Sequence, residues 1–218
     1  MKHLLEFEII YYIAIFTMAF VIVLVSTPTI MWTAIRHQLF DRSDLHRKTH
    51  KRNISNLGGV AIFCSFTLTV LLFSSIFNYQ QPIFLIIGSI ILFATGLKDD
   101  VYGIGSGTKL LLSIAVASIL VFLGGFRLTS LYGVLNIGEI NIVTGALFSI
   151  LLIIFLNNAF NLIDGLDGLA GTIGIIVNLT FGIMFAYAGQ TASAFIAFSL
   201  VGATAGFLYY NYAPARIF

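Results

Sequence analysis

Seven apolar stretches, each roughly 15 to 27 residues long and separated by short polar connections, leave this 218-residue chain almost no fold that water would support. A bilayer core asks for about 20 apolar residues per helix, and fewer where a helix end is buried in protein. On that rule spans run approximately over Ile9–Ile35, Leu57–Phe77, Ile83–Leu97, Lys109–Leu123, Ile142–Leu156, Leu169–Ala188 and Ala192–Tyr210. Only 9% of the residues are charged, against about a quarter in a soluble domain. The expected fold class is therefore an all-α multi-spanning membrane protein with about seven transmembrane helices. Between the fourth and fifth spans, "GGFRLTSLYGVLNIGEIN" is Gly-rich and partly alternating, which predicts a small external hairpin. Residues 1–218 read as a single transmembrane domain with a basic cytoplasmic loop over 36–56.

Six of the eleven Lys and Arg residues fall between Arg36 and Arg52, and the positive-inside rule puts that loop in the cytoplasm. Counting spans from there sets every other connection. "LKDDVYGIGSGTK" and the C-terminal "NYAPARIF" are expected inside, and "NYQQP" outside. Asp99, Asp100, Asp164 and Asp167, four of only nine acids, are then all expected at the cytoplasmic boundary. The opening "MKHLLEFEIIYY" lacks a small-x-small cleavage site and reads as a retained first span. Cys64 is the only cysteine, which excludes an internal disulfide and a cysteine-based metal site.

The polar anomaly is "NNAFNLIDGLDGLAGT", Asn157 to Thr172, with long apolar sequence on both sides. On a continuous helix, at about 100° per residue, Asn157, Asn161 and Asp164 would fall within roughly 60° of one another, with Asp167 about 60° further round. Gly165, Gly168 and Gly171 weaken the helix there, so a helix end or re-entrant turn could bring backbone close to a ligand. Capping of a span end would explain one polar residue but not five.

Carboxylates inside or beside a membrane are costly and usually face a cavity or a cation. Adjacent carboxylates repel, and a hard divalent cation holds them ionised together. Oxygen-only ligands with open positions suit Mg²⁺, which typically bridges substrate phosphates. A nucleoside diphosphate is the natural partner, with Lys48, Lys51, Arg52, Lys98 and Lys109 available for phosphate contacts or simply for setting topology. For "KDD" alone a solvated turn explains the residues equally well. His46 and His50 have metal-ligand spacing, but without a neighbouring Glu they point instead to contact with an anionic substrate or lipid head group.

Taken together, "GLKDD", "NNAFNLIDGLDGLAGT", "RKTHKRNISNLGGVAIF" and "FLYYNYAPARIF", in this order, resemble the polyprenyl-phosphate N-acetylhexosamine-1-phosphate transferases (glycosyltransferase family 4), from about Asp41 to Phe218. The second motif is the most specific. The resemblance implies transfer of a sugar 1-phosphate from a UDP-N-acetylhexosamine to a polyprenyl phosphate, usually undecaprenyl phosphate, with Mg²⁺ and release of UMP. This would take place at the cytoplasmic face of a bacterial inner membrane, initiating a cell-envelope glycan. It further implies catalytic roles for Asp99, Asp100, Asp164 and Asp167, metal ligation by Asp99, Asp100 and Asp167, and substrate contacts from Asn157, Asn161, Lys48, His50, Lys109 and Asn211. The lipid bilayer is a partner by composition, nucleic acid is not expected, and the Phe-rich spans could pack within one chain or across a homodimer.

The basic loop with "LGGVAIF" looks more like members using UDP-N-acetylglucosamine than those using UDP-N-acetylmuramoyl-pentapeptide, although "SNLGG" has Leu57 where a proline usually precedes the Gly-Gly. The family pattern continues past "PARIF" into a Met-Gly-Asp segment and a His-containing loop. The resemblance thus covers about the first two-thirds of a transferase, and the 218 residues alone are expected to have little or no activity. Two other classes fit less well. "DGLDGLAG" matches only half of the CDP-alcohol phosphotransferase signature. A cation-coupled transporter would place its acids near the midplane and show an inverted repeat. A non-catalytic scaffold would not be expected to keep all four aspartates.

Overall fold

A computed structural model describes residues 2–37, 55–77 and 82–218. Lys48 and His50, with the rest of the basic loop up to residue 54, lie outside the described residues. The described residues form seven α-helices: α1 Lys2–Arg36, α2 Gly58–Phe77, α3 Pro82–Tyr102, α4 Ser106–Ser118, α5 Ile142–Ile163, α6 Leu169–Tyr187 and α7 Thr191–Asn211. Every apolar stretch of the sequence folds as a helix, as an all-α multi-span protein requires. Six are long and apolar enough to cross a membrane, α4 reaching that length through a π-helical turn at Ile119–Leu123. The exception is α3, whose last turns carry Lys98, Asp99 and Asp100.

The chain divides into two compact units, Met1–Tyr79 with Asp164–Phe218, and Gln80–Ile163. In the first, α7 packs on α1, α2 and α6. In lipid there is little hydrophobic drive between helices, so close backbone approach and interhelical hydrogen bonds hold such a bundle together. Small residues on α7 permit that approach: a Cβ on Gly202 would stand 2.3 Å from the Phe16 carbonyl oxygen, and one on Gly206 2.8 Å from that of Phe20. Ala19, Val23 and Ala203 are fully buried at this seam. Among the described residues, hydrogen bonds that tie α1 to its neighbours include Ser65 Oγ donating to the Ala19 carbonyl at 2.7 Å and Tyr210 Oη to the Leu24 carbonyl at 3.0 Å.

After α7 the chain turns back and closes against the segment that leads into α2. The Phe218 N–H donates to the Ser55 carbonyl at 2.9 Å, and the Gly58 N–H donates to the Phe218 carbonyl at 2.7 Å. Ile217 is completely buried beneath this pairing. The Gly-Gly that opens α2 is explained here, because a Cβ on Gly58 would lie 2.3 Å from the Phe207 ring, whereas one on Gly59 would meet nothing within 4 Å.

In the second unit α4 packs against both α3 and α5. The expected hairpin is present between the π-helical turn and α5. Its arms exchange backbone hydrogen bonds from Ile140 N–H to the Thr129 carbonyl and from Leu131 N–H to the Gly138 carbonyl. It is stitched to α5 by Leu128, whose N–H donates to Ser149 Oγ at 2.9 Å.

Candidate functional site

The acidic pair Asp99 and Asp100 lies in the last turn of α3, which runs five residues beyond Leu97, where the sequence ends the apolar run, and stops at Tyr102 before Gly103 turns left-handed at φ 73°. Asp99 is half-buried. Its Oδ1 accepts the backbone N–H of Ile104 at 2.9 Å, which fastens the carboxylate to the chain leaving the helix. Its Oδ2 forms an ion pair with Lys109 Nζ in the first turns of α4. Asp100, the next residue, is exposed. The "KDDVYGIGSGTK" loop thus folds so that Asp99 is paired with Lys109 while Asp100 is exposed. Of the expected residues in this unit, Asp99 and Lys109 are brought into contact.

Asn157 and Asn161 project from α5, which runs unbroken from Ile142 to Ile163. Asn157 Nδ2 donates to Ser113 Oγ on α4 at 3.3 Å. Ser113 is a residue that sequence reasoning passed over, since a lone serine on an apolar helix carries no signal until its partner is known.

The continuous polar stripe expected from Asn157 to Asp167 does not survive intact. Helix α5 stops at Ile163, so Asp164 and Asp167 lie in the tight turn before α6 and not on the helical face of Asn157 and Asn161. Glycine is the cause: Gly165 and Gly168 are poor helix formers, and Gly168 takes a left-handed φ of 73° immediately before α6.

This second acidic segment is held from the far end of the chain. Asn211, the last residue of α7, is 3% exposed. Its Oδ1 accepts the Gly168 N–H at 2.9 Å and its Nδ2 donates to the Ile217 carbonyl at 2.8 Å. The Ala215 N–H donates to Asp167 Oδ2 at 3.0 Å. The motif "NYAPARIF" therefore serves as a brace for the "DGLDG" turn, a role that Asn211 could not reveal in sequence, because each partner lies at a different chain distance. Asp164 is exposed at this turn, yet partial desolvation raises its carboxyl above the ordinary aspartate value.

Among the described residues no group of three His, Cys, Asp or Glu side chains stands ready as a cation cage within either unit. The donor chemistry of each acidic segment nevertheless fits Mg²⁺. Mg²⁺ commonly takes one or two protein carboxylates and fills its remaining positions with water and substrate phosphates, and the acids here are oxygen donors at the ends of apolar helices.

The family model described as "Glycosyl transferase family 4" matches residues 82–218, more than half of the chain. A Bacillus subtilis (strain 168) protein named "Probable undecaprenyl-phosphate N-acetylglucosaminyl 1-phosphate transferase" is 30% identical over 219 residues, covering 99% of this chain and 60% of its own length. A "Decaprenyl-phosphate N-acetylglucosaminephosphotransferase" of Mycolicibacterium smegmatis is 30% identical over 79% of the chain and 47% of its own length. A "Phospho-N-acetylmuramoyl-pentapeptide-transferase" of Listeria monocytogenes is 31% identical over 94% of the chain and 68% of its own length. The chain thus spans about half to two-thirds of these relatives. On the match across its acidic segments and the length of these alignments, the chain belongs to glycosyl transferase family 4.

Proposed function

We propose that the protein transfers N-acetylglucosamine 1-phosphate from UDP-N-acetylglucosamine to undecaprenyl phosphate at the cytoplasmic face of a bacterial inner membrane, with release of UMP. The observation that carries this reading is the Asp99–Lys109 pair beside exposed Asp100 at the end of an apolar helix. Together they set anionic and cationic groups side by side at a span end, where a lipid-borne phosphate must meet a water-borne diphosphate.

In the reaction, an oxygen of the lipid phosphate attacks the phosphorus that bears the sugar. The bond from that phosphorus to the bridging oxygen of UMP breaks, and UMP leaves with the electron pair. Lys109 meets phosphate charge, and a carboxylate of the set Asp99, Asp100, Asp164 and Asp167 takes the last proton of the lipid phosphate. Asn157 and Asn161 contribute polar contacts to the donor, as do Lys48 and His50 of the basic loop. Mg²⁺, held by Asp99, Asp100 and Asp167, would neutralise the diphosphate and make UMP a better leaving group. Attack is direct, since the acceptor is already an anionic nucleophile.

The Listeria relative favours a second donor, UDP-N-acetylmuramoyl-pentapeptide, for the same chemistry. Membranes carrying the full gene product, supplied in parallel with each labelled nucleotide and undecaprenyl phosphate, separate the two. Label entering the lipid fraction from UDP-N-acetylglucosamine alone supports the first reading. Label from the pentapeptide donor alone replaces it with the second.

A further inference from the structure

The hairpin between α4 and α5 exposes apolar side chains at its tip: Tyr132 is 93%, Leu135 83% and Val134 62% exposed. Tyr132, Leu135 and Asn136 all take left-handed φ values, of 49°, 55° and 62°, which side chains other than glycine rarely adopt. The turn is nonetheless well fastened, by Gly133 N–H to the Ile137 carbonyl at 3.0 Å and Val134 N–H to the Leu131 carbonyl at 2.9 Å. A firmly made turn that holds its most apolar residues outward calls for an apolar or amphipathic neighbour.

The attachment to α5 fixes where that neighbour lies. Leu128 is docked against the helix between Gly145 and Ser149, for a Cβ on Gly145 would stand 2.4 Å from the Leu128 carbonyl oxygen and the Leu128 N–H bonds Ser149 Oγ. Those positions lie about 5 and about 10 Å along α5 from its first residue, at 1.5 Å per residue. The four residues from Leu128 to Tyr132 span at most about 14 Å. With Leu128 held between those two positions, about 7 Å along α5, Tyr132 cannot stand more than about 7 Å beyond the start of α5, which is about the thickness of one headgroup layer. Both flanking helices, Ser106–Leu123 and Ile142–Ile163, are long and apolar enough to cross a membrane, so the start of α5 marks the hydrocarbon edge.

We infer that the hairpin tip is an interfacial anchor, with Tyr132, Val134 and Leu135 seated in the lipid headgroup layer on the side where α5 begins. Tyrosine is suited to that layer, its ring apolar and its hydroxyl wet. No charged residue lies between Arg127 and Glu139 to oppose entry. The anchor adds a second hold on the membrane beside the spans, continuous with the exposed face of α5 at Ile142 and Val143. It is independent of the reaction proposed above and of which face the hairpin occupies.

Trp32 is the only tryptophan, so a Trp32→Phe chain carrying Tyr132→Trp reports from the tip alone, and a second chain carrying Leu135→Trp instead guards against a local fault at one position. Each is reconstituted in phosphatidylcholine–phosphatidylglycerol vesicles whose lipids are brominated near the glycerol end or near the methyl end of their chains. The inference predicts strong quenching by the shallow bromines, weak quenching by the deep ones, and little quenching by aqueous iodide. Quenching by iodide with none by either lipid, for both reporters, overturns it, and so does deep quenching that exceeds shallow.

Discussion

The buried side chain of Asn211 holds the backbone of Gly168, its Oδ1 accepting the Gly168 N–H at 2.9 Å across 43 residues of sequence. The same amide donates to the Ile217 carbonyl, so one residue sets both the acidic turn and the chain that follows α7. Replacement by Asp keeps the acceptor but loses the donor. Replacement by Ala leaves the Gly168 N–H and the Ile217 carbonyl unpaired, and each buried orphan costs about 1–3 kcal/mol. Asn211→Ala should therefore speed hydrogen exchange in peptides covering both Gly168 and Ile217, and Asn211→Asp mainly at Ile217. Unchanged exchange in both would remove the brace.

The two glycines that open α2 should respond in opposite ways. Gly58→Ala forces a methyl into the Phe207 ring and the Phe218 carbonyl, and a strained contact of that kind costs about 1–3 kcal/mol. Gly59→Ala meets open space and gains about 1 kcal/mol of helix propensity. Thermal unfolding in detergent, followed by tryptophan fluorescence, should show a lower midpoint for the first and an equal or higher midpoint for the second.

Close approach of α1 and α7 depends on Gly202, where a Cβ would stand 2.3 Å from the Phe16 carbonyl oxygen. Gly202→Leu should separate the two helices and lower the thermal midpoint by several degrees. An equivalent leucine at Gly96, around which a Cβ finds nothing within 4 Å, should change it little.

The Asp164 carboxyl is raised by desolvation. Its acid form therefore persists to higher pH than in an ordinary aspartate, and the negative charge is lost sooner as pH falls. If that charge serves the reaction, activity of the full gene product should decline on the acid side at a pH above the ordinary aspartate range. Asp164→Asn should flatten that limb of the profile, while an unchanged limb assigns it to another group.

Much of the architecture was legible because a lipid-spanning helix advertises itself by length and apolarity alone. The hairpin was legible too, from glycines and alternation between Gly124 and Asn141. The break after Ile163 was only half legible. Three glycines signalled a possible turn, but the capture of Gly168 by Asn211 is a tertiary contact that no local pattern encodes. The same holds for Asp99, whose pairing with Lys109 depends on the loop turning at Gly103. Ser113 was invisible as a single hydroxyl residue, and Ser55 because it meets Phe218 through its backbone carbonyl. Their meaning comes from Asn157 and Phe218, the partners that the fold brings to them.

The account rests most directly on Mg²⁺-dependent release of UMP when membranes carrying the full gene product receive UDP-N-acetylglucosamine and undecaprenyl phosphate. Release that requires both substrates and Mg²⁺, and that falls at least a hundredfold in Asp100→Asn while the protein still inserts in the membrane, is the predicted result. The contrary result is UMP release that is absent with every UDP-N-acetylhexosamine donor, or that is unchanged in Asp100→Asn.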